Sequence, residues 1–299
     1  MKQMMLIAAI AAAAVLTATG QTEEVKFRVY DSKGNPATTV AIIDAAGGAD
    51  AVFLGELHDD SVGHLLQLAI FEGIVNRYAA ERRVGLSLEM FERDVQVVLD
   101  EYLAGQITED HFLRSSRPWG NYKTDYRPLV ELARLKRLDV IAANAPRRYV
   151  NMVSRMGAGS VEKLSEDARR WLAPLPVRQA SAVYAEKFRV AMEGAPTAAG
   201  APHGAALASQ TLWDATMADS AARWLRKNKR GLLVQLNGGF HTENRLGIIE
   251  HFLRYRPKAK AVVVTIRYEK DFTRFDAEKH SGLGDFVVLT DGSQPRSLR

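Results

Sequence analysis

Short apolar runs alternate along this chain with segments in which apolar residues recur every three or four positions. The runs show little of the in–out alternation of a strand with one wet face, so both faces of each are expected to be covered. They read AVFLGE, VGLSLEM, DVIAANA, GLLVQLNGG and AVVVTIRY. Helical spacing extends over about Val62–Ala80, Val95–Ala104, Glu109–Arg114 and Leu129–Arg137. The pattern predicts an α/β fold with a parallel-rich central sheet flanked by helices.

Both ends of the patterned region carry simpler elements. VKFRVYDSKGNPAT predicts a small hairpin whose turn is Ser32–Pro36. DFVVLTD, near the C-terminus, predicts a last strand at an edge of the sheet.

Residues 151–230 carry no strand signal, although a crossover between parallel strands needs only about a dozen residues. Two helical faces occur there. Their apolar members are Val177, Ala180, Tyr184, Phe188 and Ala191, then Trp213, Met217, Ala221 and Trp224. A Gly/Pro-rich stretch, EGAPTAAGAPHGAA, separates them and is expected to be mobile. We interpret about 150–228 as a helical insertion subdomain within a single domain that covers 21–299.

The first twenty residues have the pattern of a secretory signal peptide: Met1-Lys2, an apolar stretch from Met4 to Leu16, and a small-residue cleavage pattern. We therefore expect an exported protein. The chain has no cysteine, which excludes disulfides, thiolate ligands and lipid attachment through an N-terminal cysteine. The formal net charge is +5, and loss of Lys2 lowers it by one. No nucleic-acid-binding motif is present.

The ends of the predicted parallel strands carry polar residues. Ligands bind beyond the carboxyl ends of such strands, so these side chains are expected to converge. AVFLGE ends with Glu56 and is followed by His58, VGLSLEM carries Glu89 near its end, and DVIAANA carries Asn144 near its end. GLLVQLNGG carries Asn237 near its end and is followed by His241, and AVVVTIRY ends with Arg267 and Tyr268. The spacing Gly-x-x-His occurs twice, at Gly55–His58 and Gly238–His241.

Glu56, His58, Glu89 and His241 allow two chemistries. Imidazole and carboxylate together could bind a divalent metal. Alternatively, a carboxylate could orient a histidine for general acid/base hydrolysis. A third interpretation is that these residues only cap the helices that follow the strands.

Six motifs resemble, in order, those of the ChaN-type haem-binding lipoproteins. They are FLGELHD, LEMFERDVQ, Trp119 with Tyr126-Arg127-Pro128, AANAPR, QTLWDATMA and LNGGFH. The wider superfamily includes Tiki proteins, TraB proteins and erythromycin esterases. The resemblance implies an α/β haem-binding domain with a helical subdomain and a periplasmic or outer-membrane location. It also implies a haem pocket that dimerisation completes, and a paired Gly-x-x-His site that persists whether or not it is catalytic. The lipobox cysteine of the family is missing here, so lipid anchoring is not expected.

Haem needs an axial ligand, an apolar pocket and basic groups for its propionates. The helical insertion offers Tyr184 and Phe188, with Lys187 and Arg189 beside them, and His203 in the Gly/Pro-rich stretch. Trp119, Tyr122 and Tyr126 form a second aromatic group. The predicted haem-binding residues are therefore Tyr184, His203, Lys187, Tyr126 and Trp119.

The sequence as a whole favours an exported haem-binding protein in haem or iron uptake over an enzyme. Haem is the expected cofactor, a divalent metal a second one, and a homodimer and an outer-membrane haem receptor the expected partners. The alternative is an extracytoplasmic metal-dependent or acid/base hydrolase that uses Glu56, His58, Glu89 and His241. A purely structural or interaction module would leave the strand-end residues unexplained.

Overall fold

The computed structural model describes residues 26–193 and 203–298, and the predicted signal peptide lies outside them. Eight strands form one mixed sheet: β1 Phe27–Asp31, β2 Pro36–Ala37, β3 Ala51–Glu56, β4 Val84–Glu92, β5 Asp139–Asn144, β6 Leu232–Gly238, β7 Ala261–Glu269 and β8 Phe286–Asp291. Their spatial order is β2-β1-β8-β7-β3-β6-β4-β5.

The sheet is parallel from β8 to β5, whereas β1 runs antiparallel to both of its neighbours. This architecture confirms the predicted parallel-rich α/β fold. One expectation was wrong: β8 is not an edge strand. It lies between β1 and β7, because the N-terminal hairpin adds to its outer side and becomes the edge. The other edge is β5.

Eleven α-helices occur in the described part of the chain: α1 Thr39–Ala46, α2 Ser61–Tyr78, α3 Gln96–Leu103, α4 Glu109–Ser116, α5 Arg127–Leu135, α6 Arg147–Met156, α7 Glu166–Arg169, α8 Ala182–Ala191, α9 His203–Lys227, α10 Ile248–Tyr255 and α11 Ala277–His280. Short 3₁₀ segments occupy Arg93–Val95, Ala158–Lys163, Gly239–His241 and Glu243–Arg245, and a π-helical turn occupies Tyr122–Tyr126. None of the described helices is long and apolar enough to cross a membrane.

Two hydrophobic cores cover the two faces of the sheet. Because side chains alternate along a strand, Val52 and Leu54 of β3 enter the core beneath α2, while Ala51 and Phe53 enter the core beneath α9 and α10. All four residues are fully buried. This explains why the strands are apolar almost without interruption.

The described residues between β5 and β6 are helical or irregular. Most of the Gly/Pro-rich stretch lies outside the described residues, but its last residues begin α9 at His203. The long helix α9 packs against α6, α10 and β5, so it joins the insertion to the body of the sheet.

Candidate functional site

The carboxyl ends of three adjacent strands, β3, β6 and β4, bring the paired Gly-x-x-His segments together. Glu56 ends β3 and is in register with Gly238, which ends β6. His58 follows two residues after Glu56, and His241 ends the 3₁₀ turn after β6. The parallel register therefore places the two histidines at the same edge of the sheet, as the sequence predicted.

Glu56 and His58 form a hydrogen-bonded pair. The Nδ1 of His58 lies 2.9 Å from Oε1 of Glu56, and since a carboxylate can only accept, the imidazole proton is on Nδ1. Burial alone would lower the pKa of His58, but its hydrogen bond to Glu56 and the charges of Glu89 and Glu56 outweigh burial and raise the pKa. Nε2 of His58 has no hydrogen-bond partner within the described residues, so in the neutral imidazole its lone pair is available to a ligand.

The Glu56 carboxylate is buried and accepts two more hydrogen bonds. Tyr126 donates to Oε1 and Gln67 donates to Oε2, each at 2.6 Å. The side chain of Glu56 is only 1% exposed, so these donors replace water. They also fix the carboxylate, and through it the His58 ring.

A second polar layer holds the loop on which His58 lies. The backbone oxygen of His58 accepts a hydrogen bond from Asn121 at 2.7 Å, and Nε2 of His64 lies 3.1 Å from the same oxygen. Nε2 of His64 also lies 3.3 Å from Asp125, to which Asn121 donates at 2.6 Å. Asp125 comes from the π-helical turn, whose extra residue per turn places Asp125 and Tyr126 beneath the same loop.

His241 forms a separate and more deeply buried cluster. Its Nδ1 lies 2.5 Å from Asp214 of α9, and its Nε2 lies 3.5 Å from Glu89 of β4. Burial opposes the charged form, but the charges of Glu89 and Asp214 raise the pKa of His241 to about 10. Against the same penalty, His241 lowers the pKa of Glu89 to about 2, and the Gly238 N–H donates to Glu89 at 2.7 Å. His241 is thus an imidazolium at neutral pH.

Gly238 is the point where the two histidines meet. A Cβ atom at this position would lie 2.9 Å from Cε1 of His58 and 3.4 Å from the His241 ring. The first distance is shorter than van der Waals contact allows, so a side chain here would displace His58. The glycine of the second Gly-x-x-His segment is therefore required for close approach.

His58 and His241 both line a cavity of about 640 Å³. Partly exposed apolar side chains form its walls: Trp119, Phe188, Met192 and Trp213. Trp119 packs edge-to-face on His58, with ring centroids 4.7 Å apart. Arg147 lies at the rim, 65% exposed, with its guanidinium 5.9 Å from the Trp119 ring centroid. The cavity therefore combines apolar walls, one imidazole nitrogen without a partner in the described part of the chain, and a rim on which Arg147 lies 3.7 Å from Glu92.

Three other predicted haem-binding residues, Tyr126, Tyr184 and Lys187, do not line this cavity. Tyr126 and Tyr184 are at most 1% exposed, and burial raises the pKa of each hydroxyl strongly, so neither is ready to form a tyrosinate. Lys187 is bonded to the Phe240 carbonyl at 3.1 Å and lies 3.3 Å from Glu243. The side chain of His203 lies outside the described residues.

The predicted divalent metal is not supported. The described residues contain no group of three or more His, Asp or Glu side chains arranged to hold a metal ion. The reason is that the ligands expected from the sequence are already engaged: Glu56 binds three donors, and His241 is held as a cation between two carboxylates.

Several residues of the site were not identified from the sequence alone. Asp214 and Asp125 lie far along the chain from the histidines they contact, whereas Gln67 is close in sequence and acts through Glu56. Asp214 and Arg147 did fall within the motifs QTLWDATMA and AANAPR, which was the only signal for them. Gln67 and Asp125 lie in helical segments. In the sequence they cannot be distinguished from polar residues on the exposed side of a helix.

Comparison with solved structures shows a shared fold. Campylobacter jejuni ChaN, described as binding haem cofacially, superposes with a TM-score of 0.69 at 20% sequence identity, over 90% of this chain and 98% of that one. The open conformation of the erythromycin esterase EreC superposes with a TM-score of 0.50 at 13% identity, over 89% of this chain and 83% of that one. No match was found among curated proteins.

A family model described as "Haem-binding uptake, Tiki superfamily, ChaN" matches residues 42–252, which is more than two thirds of the chain. The match includes every residue of the two His–carboxylate clusters and confirms the resemblance inferred from the six motifs. This chain therefore belongs to the ChaN family of haem-binding uptake proteins, within the Tiki superfamily.

Proposed function

We propose that this chain binds haem in the cavity beside His58, and that Nε2 of His58 ligates the iron. The observation that carries the proposal is the orientation of His58: Glu56 holds Nδ1 at 2.9 Å, and Nε2 has no hydrogen-bond partner within the described residues. Histidine ligands of metals usually donate their second nitrogen to a carboxylate or carbonyl in this way. When bound, the haem would supply its own redox and ligand-binding chemistry.

The cavity suits a porphyrin in its other properties. Trp119 and Phe188 offer apolar faces, and Met192 adds a flexible apolar side chain. Arg147 is exposed at the rim, and its 3.7 Å contact with Glu92 is looser than the 2.9 Å pair of Glu92 with Arg117, so Arg147 can bind a haem propionate. His241 cannot compete for the iron, because an imidazolium has no free lone pair.

We favour His58 over the tyrosines expected from the sequence. Iron binds tyrosine as tyrosinate. The raised pKa of Tyr184 opposes deprotonation, and its hydroxyl lies in the interior, 3.3 Å from Gln210. Tyr126 is engaged in donating to Glu56. Either tyrosine would need a rearrangement before it could reach haem.

We further propose that two chains share the haem. On α8, the side of the helix away from Phe188 carries two exposed apolar residues, Val183 and Val190, which are 67% and 54% exposed. A porphyrin lying in an open cavity exposes one face, and a second copy related by a two-fold axis would cover it. A ligand bound only by the dimer strengthens the dimer by mass action. Sedimentation with and without haemin measures this effect, and a monomer under both conditions would contradict it.

The same proposal assigns the protein to haem uptake outside the cytoplasm, with an outer-membrane haem receptor as partner. It is supported by the family description and by the signal-peptide pattern of residues 1–20. The hydrolase alternative gains no support from the likeness to the esterase, because a likeness at 13% identity shows the fold alone.

Titration with haemin tests the ligand assignment. Wild type should give a Soret band with saturable stoichiometry, and His58→Ala should lose most of the affinity, by about 10- to 100-fold or more. Tyr184→Phe is the matched control and should keep the spectrum. A His58→Ala protein with an unchanged spectrum, beside a Tyr184→Phe protein without one, would reverse the assignment. No spectral change in wild type would end the haem proposal.

A further inference from the structure

A second concave surface lies at the opposite end of the edge strand β5 from the haem cavity. Asn144, at the carboxyl end of β5, lines the haem cavity, whereas Asp139 to Ala142 line this second surface. We call it the β5 groove: about 1150 Å³ in volume, between α3 and the end of α5 on one face of the sheet and α9 on the other. The groove and the haem cavity share no lining residue.

The β5 groove carries a surplus of positive charge. Seven basic side chains line it against two acidic ones, Asp100 and Asp139. Asp139 is neutralised already, because Arg83 donates to both of its oxygens at 2.6 and 2.7 Å and Trp224 donates at 2.8 Å. The acidic residues of the groove therefore do not balance its cations.

Behind the groove, three guanidinium groups share a single buried carboxylate as their ion-pair partner. Asp219 lies 3.1 Å from Arg93, 2.7 Å from Arg223 and 3.5 Å from Arg226. Arg93 is buried and makes its other hydrogen bonds to Leu172, Thr216 and Ser220. One negative charge against three positive ones leaves a field that favours an anion in the groove.

Two arginines at the rim of the groove are held in place by stacking on aromatic rings. Arg134 stacks over Tyr102 at 4.7 Å and Arg170 stacks over the ring of Trp171 at 4.6 Å. Stacking restrains a planar guanidinium but leaves its N–H edge free to bind a carboxylate or phosphate. Their ion pairs, with the half-buried Glu131 at 3.7 Å and the exposed Asp167 at 3.4 Å, lie at the surface and contribute little.

Arg137 and Lys227 complete the rim, and neither has a carboxylate within 4.0 Å in the described part of the chain. Both side chains are exposed. Arg137 also has a left-handed backbone, with φ at 55°, a conformation in which glycine would be the unstrained residue. Arginine here bears a conformational cost and places a cation at the groove.

Between these cations the walls are apolar: Leu103, Leu138, Trp171 and Trp224. Trp224 is rigid, because its ring packs where a side chain at Gly85 would otherwise lie. The lining contains no His, Tyr, Met or Cys, so the groove offers no axial ligand to haem iron. Its ligand chemistry therefore differs from that of the haem cavity.

We propose that the β5 groove is a binding site for an amphipathic organic anion, a molecule with an apolar body and at least two anionic groups. The apolar body would lie on Trp171, Leu103 and Leu138, which are partly exposed, with the buried Trp224 beneath them. The anionic groups would bind Arg137 and Lys227, where charge-assisted hydrogen bonds are unused. The proposal does not depend on haem binding, since the two sites have separate residues.

The test uses bis-ANS, an aromatic disulfonate whose fluorescence rises on binding, with the full chain. We expect the double variant Arg137→Glu/Lys227→Glu to bind bis-ANS about tenfold or more weakly than wild type, since it replaces two charge-assisted contacts by repulsion. The matched control is Lys33→Glu/Lys258→Glu, which changes net charge equally at exposed sites outside the groove. Bis-ANS that binds outside the groove should bind both variants equally, so it does not contribute to the difference in affinity between them.

Displacement of bis-ANS then identifies the anionic group. Dodecanedioate and dodecane-1,12-diyl bisphosphate each carry two terminal anionic groups on an unbranched apolar chain, so the one that displaces the probe at the lower concentration identifies carboxylate or phosphate as the preferred group. Inorganic phosphate should displace it much less, because it lacks the apolar body. Equal losses in the groove and control variants would overturn the site, and equal displacement by inorganic phosphate would overturn the amphipathic ligand.

Discussion

Glu56 holds the His58 imidazole by a hydrogen bond of 2.9 Å from Nδ1, while its own carboxylate is buried beneath the cavity floor. This pairing determines which nitrogen of His58 faces the ligand. It also increases the electron density on Nε2, because a carboxylate partner makes the imidazole more basic. The buried carboxylate is therefore part of the proposed haem site although it does not line the cavity.

Glu56→Gln should weaken haem binding by about 10- to 100-fold, as is typical when the partner of a metal ligand is lost. It should also lower the free energy of unfolding by about 1–3 kcal/mol, because a glutamine amide cannot accept from His58, Tyr126 and Gln67 together. Haemin titration and urea unfolding measure the two effects. Tyr126→Phe is the control: it removes one donor to Glu56 but keeps the bond to His58, so stability should fall while the haem spectrum persists. Unchanged haem affinity in Glu56→Gln would separate Glu56 from the site.

The sequence alone predicted the strands well because they are short, apolar and buried on both faces. It also predicted the meeting of His58 and His241, since parallel strands must end at one edge. The sequence did not predict the position of β8 within the sheet. Whether a terminal strand lies at an edge depends on which strand pairs with its outer side, and the β1–β8 pairing joins residues more than 250 positions apart.

The roles within the site were harder to predict than its location. The sequence grouped Glu56, His58, Glu89 and His241 as one set, but the structure separates them into two His–carboxylate clusters. What separates them is Asp214, a charged residue on the buried face of α9, and the polar layer around His64. These are long-range contacts of individual side chains, and hydrophobic periodicity carries no information about them.

Arg147 at the cavity rim gives a test of propionate binding. Arg147→Gln should weaken haem binding by about tenfold, the typical contribution of a hydrogen bond to a charged group. Haem dimethyl ester lacks the propionate charges, so wild type and Arg147→Gln should bind it equally. Arg148→Gln is the matched control, because Arg148 pairs with Asp94 and does not line the cavity. If Arg147→Gln weakened binding of haem and its ester alike, Arg147 would act through packing on Trp119 and not through charge.

The His241 cluster makes stability depend on pH in a defined direction. The pKa of His241 is about 10 in the folded protein against an ordinary 6.5, so its stabilisation is fully present below pH 6.5 and is lost as pH rises towards 10. The pKa of Glu89 is about 2 against 4.5, so its stabilisation is present above pH 4.5 and is lost as pH falls towards 2. The combined contribution is therefore greatest between pH 4.5 and 6.5.

Urea unfolding of wild type and His241→Gln at a series of pH values measures this contribution. The difference in free energy of unfolding should shrink steadily from pH 6.5 to 10. His251→Gln is a control with the opposite sign: burial lowers the pKa of His251, so the advantage of wild type over that variant should shrink as pH falls. A His241→Gln difference that does not change with pH would show that His241 is neutral in the folded protein.

The chain segment Pro295–Leu298 fastens the loop that carries His58, and this contact should control how rigidly His58 is held. Arg296 donates to Asp59 through two nitrogens, the Ser297 N–H donates to the Asp59 carbonyl at 3.0 Å, and Ser61 donates to the Pro295 carbonyl at 2.8 Å. Arg296→Ala should therefore loosen the loop by about 1 kcal/mol, the upper end for a partly exposed ion pair, with little effect on the sheet. Hydrogen exchange should become faster at the amide of Asp60 and unchanged in β3, and haem affinity should fall modestly. Arg274→Ala removes an exposed ion pair with Asp271 far from the loop and should change neither quantity. If exchange accelerates across β3 as well, the segment stabilises the whole domain and does not act on the His58 loop in particular.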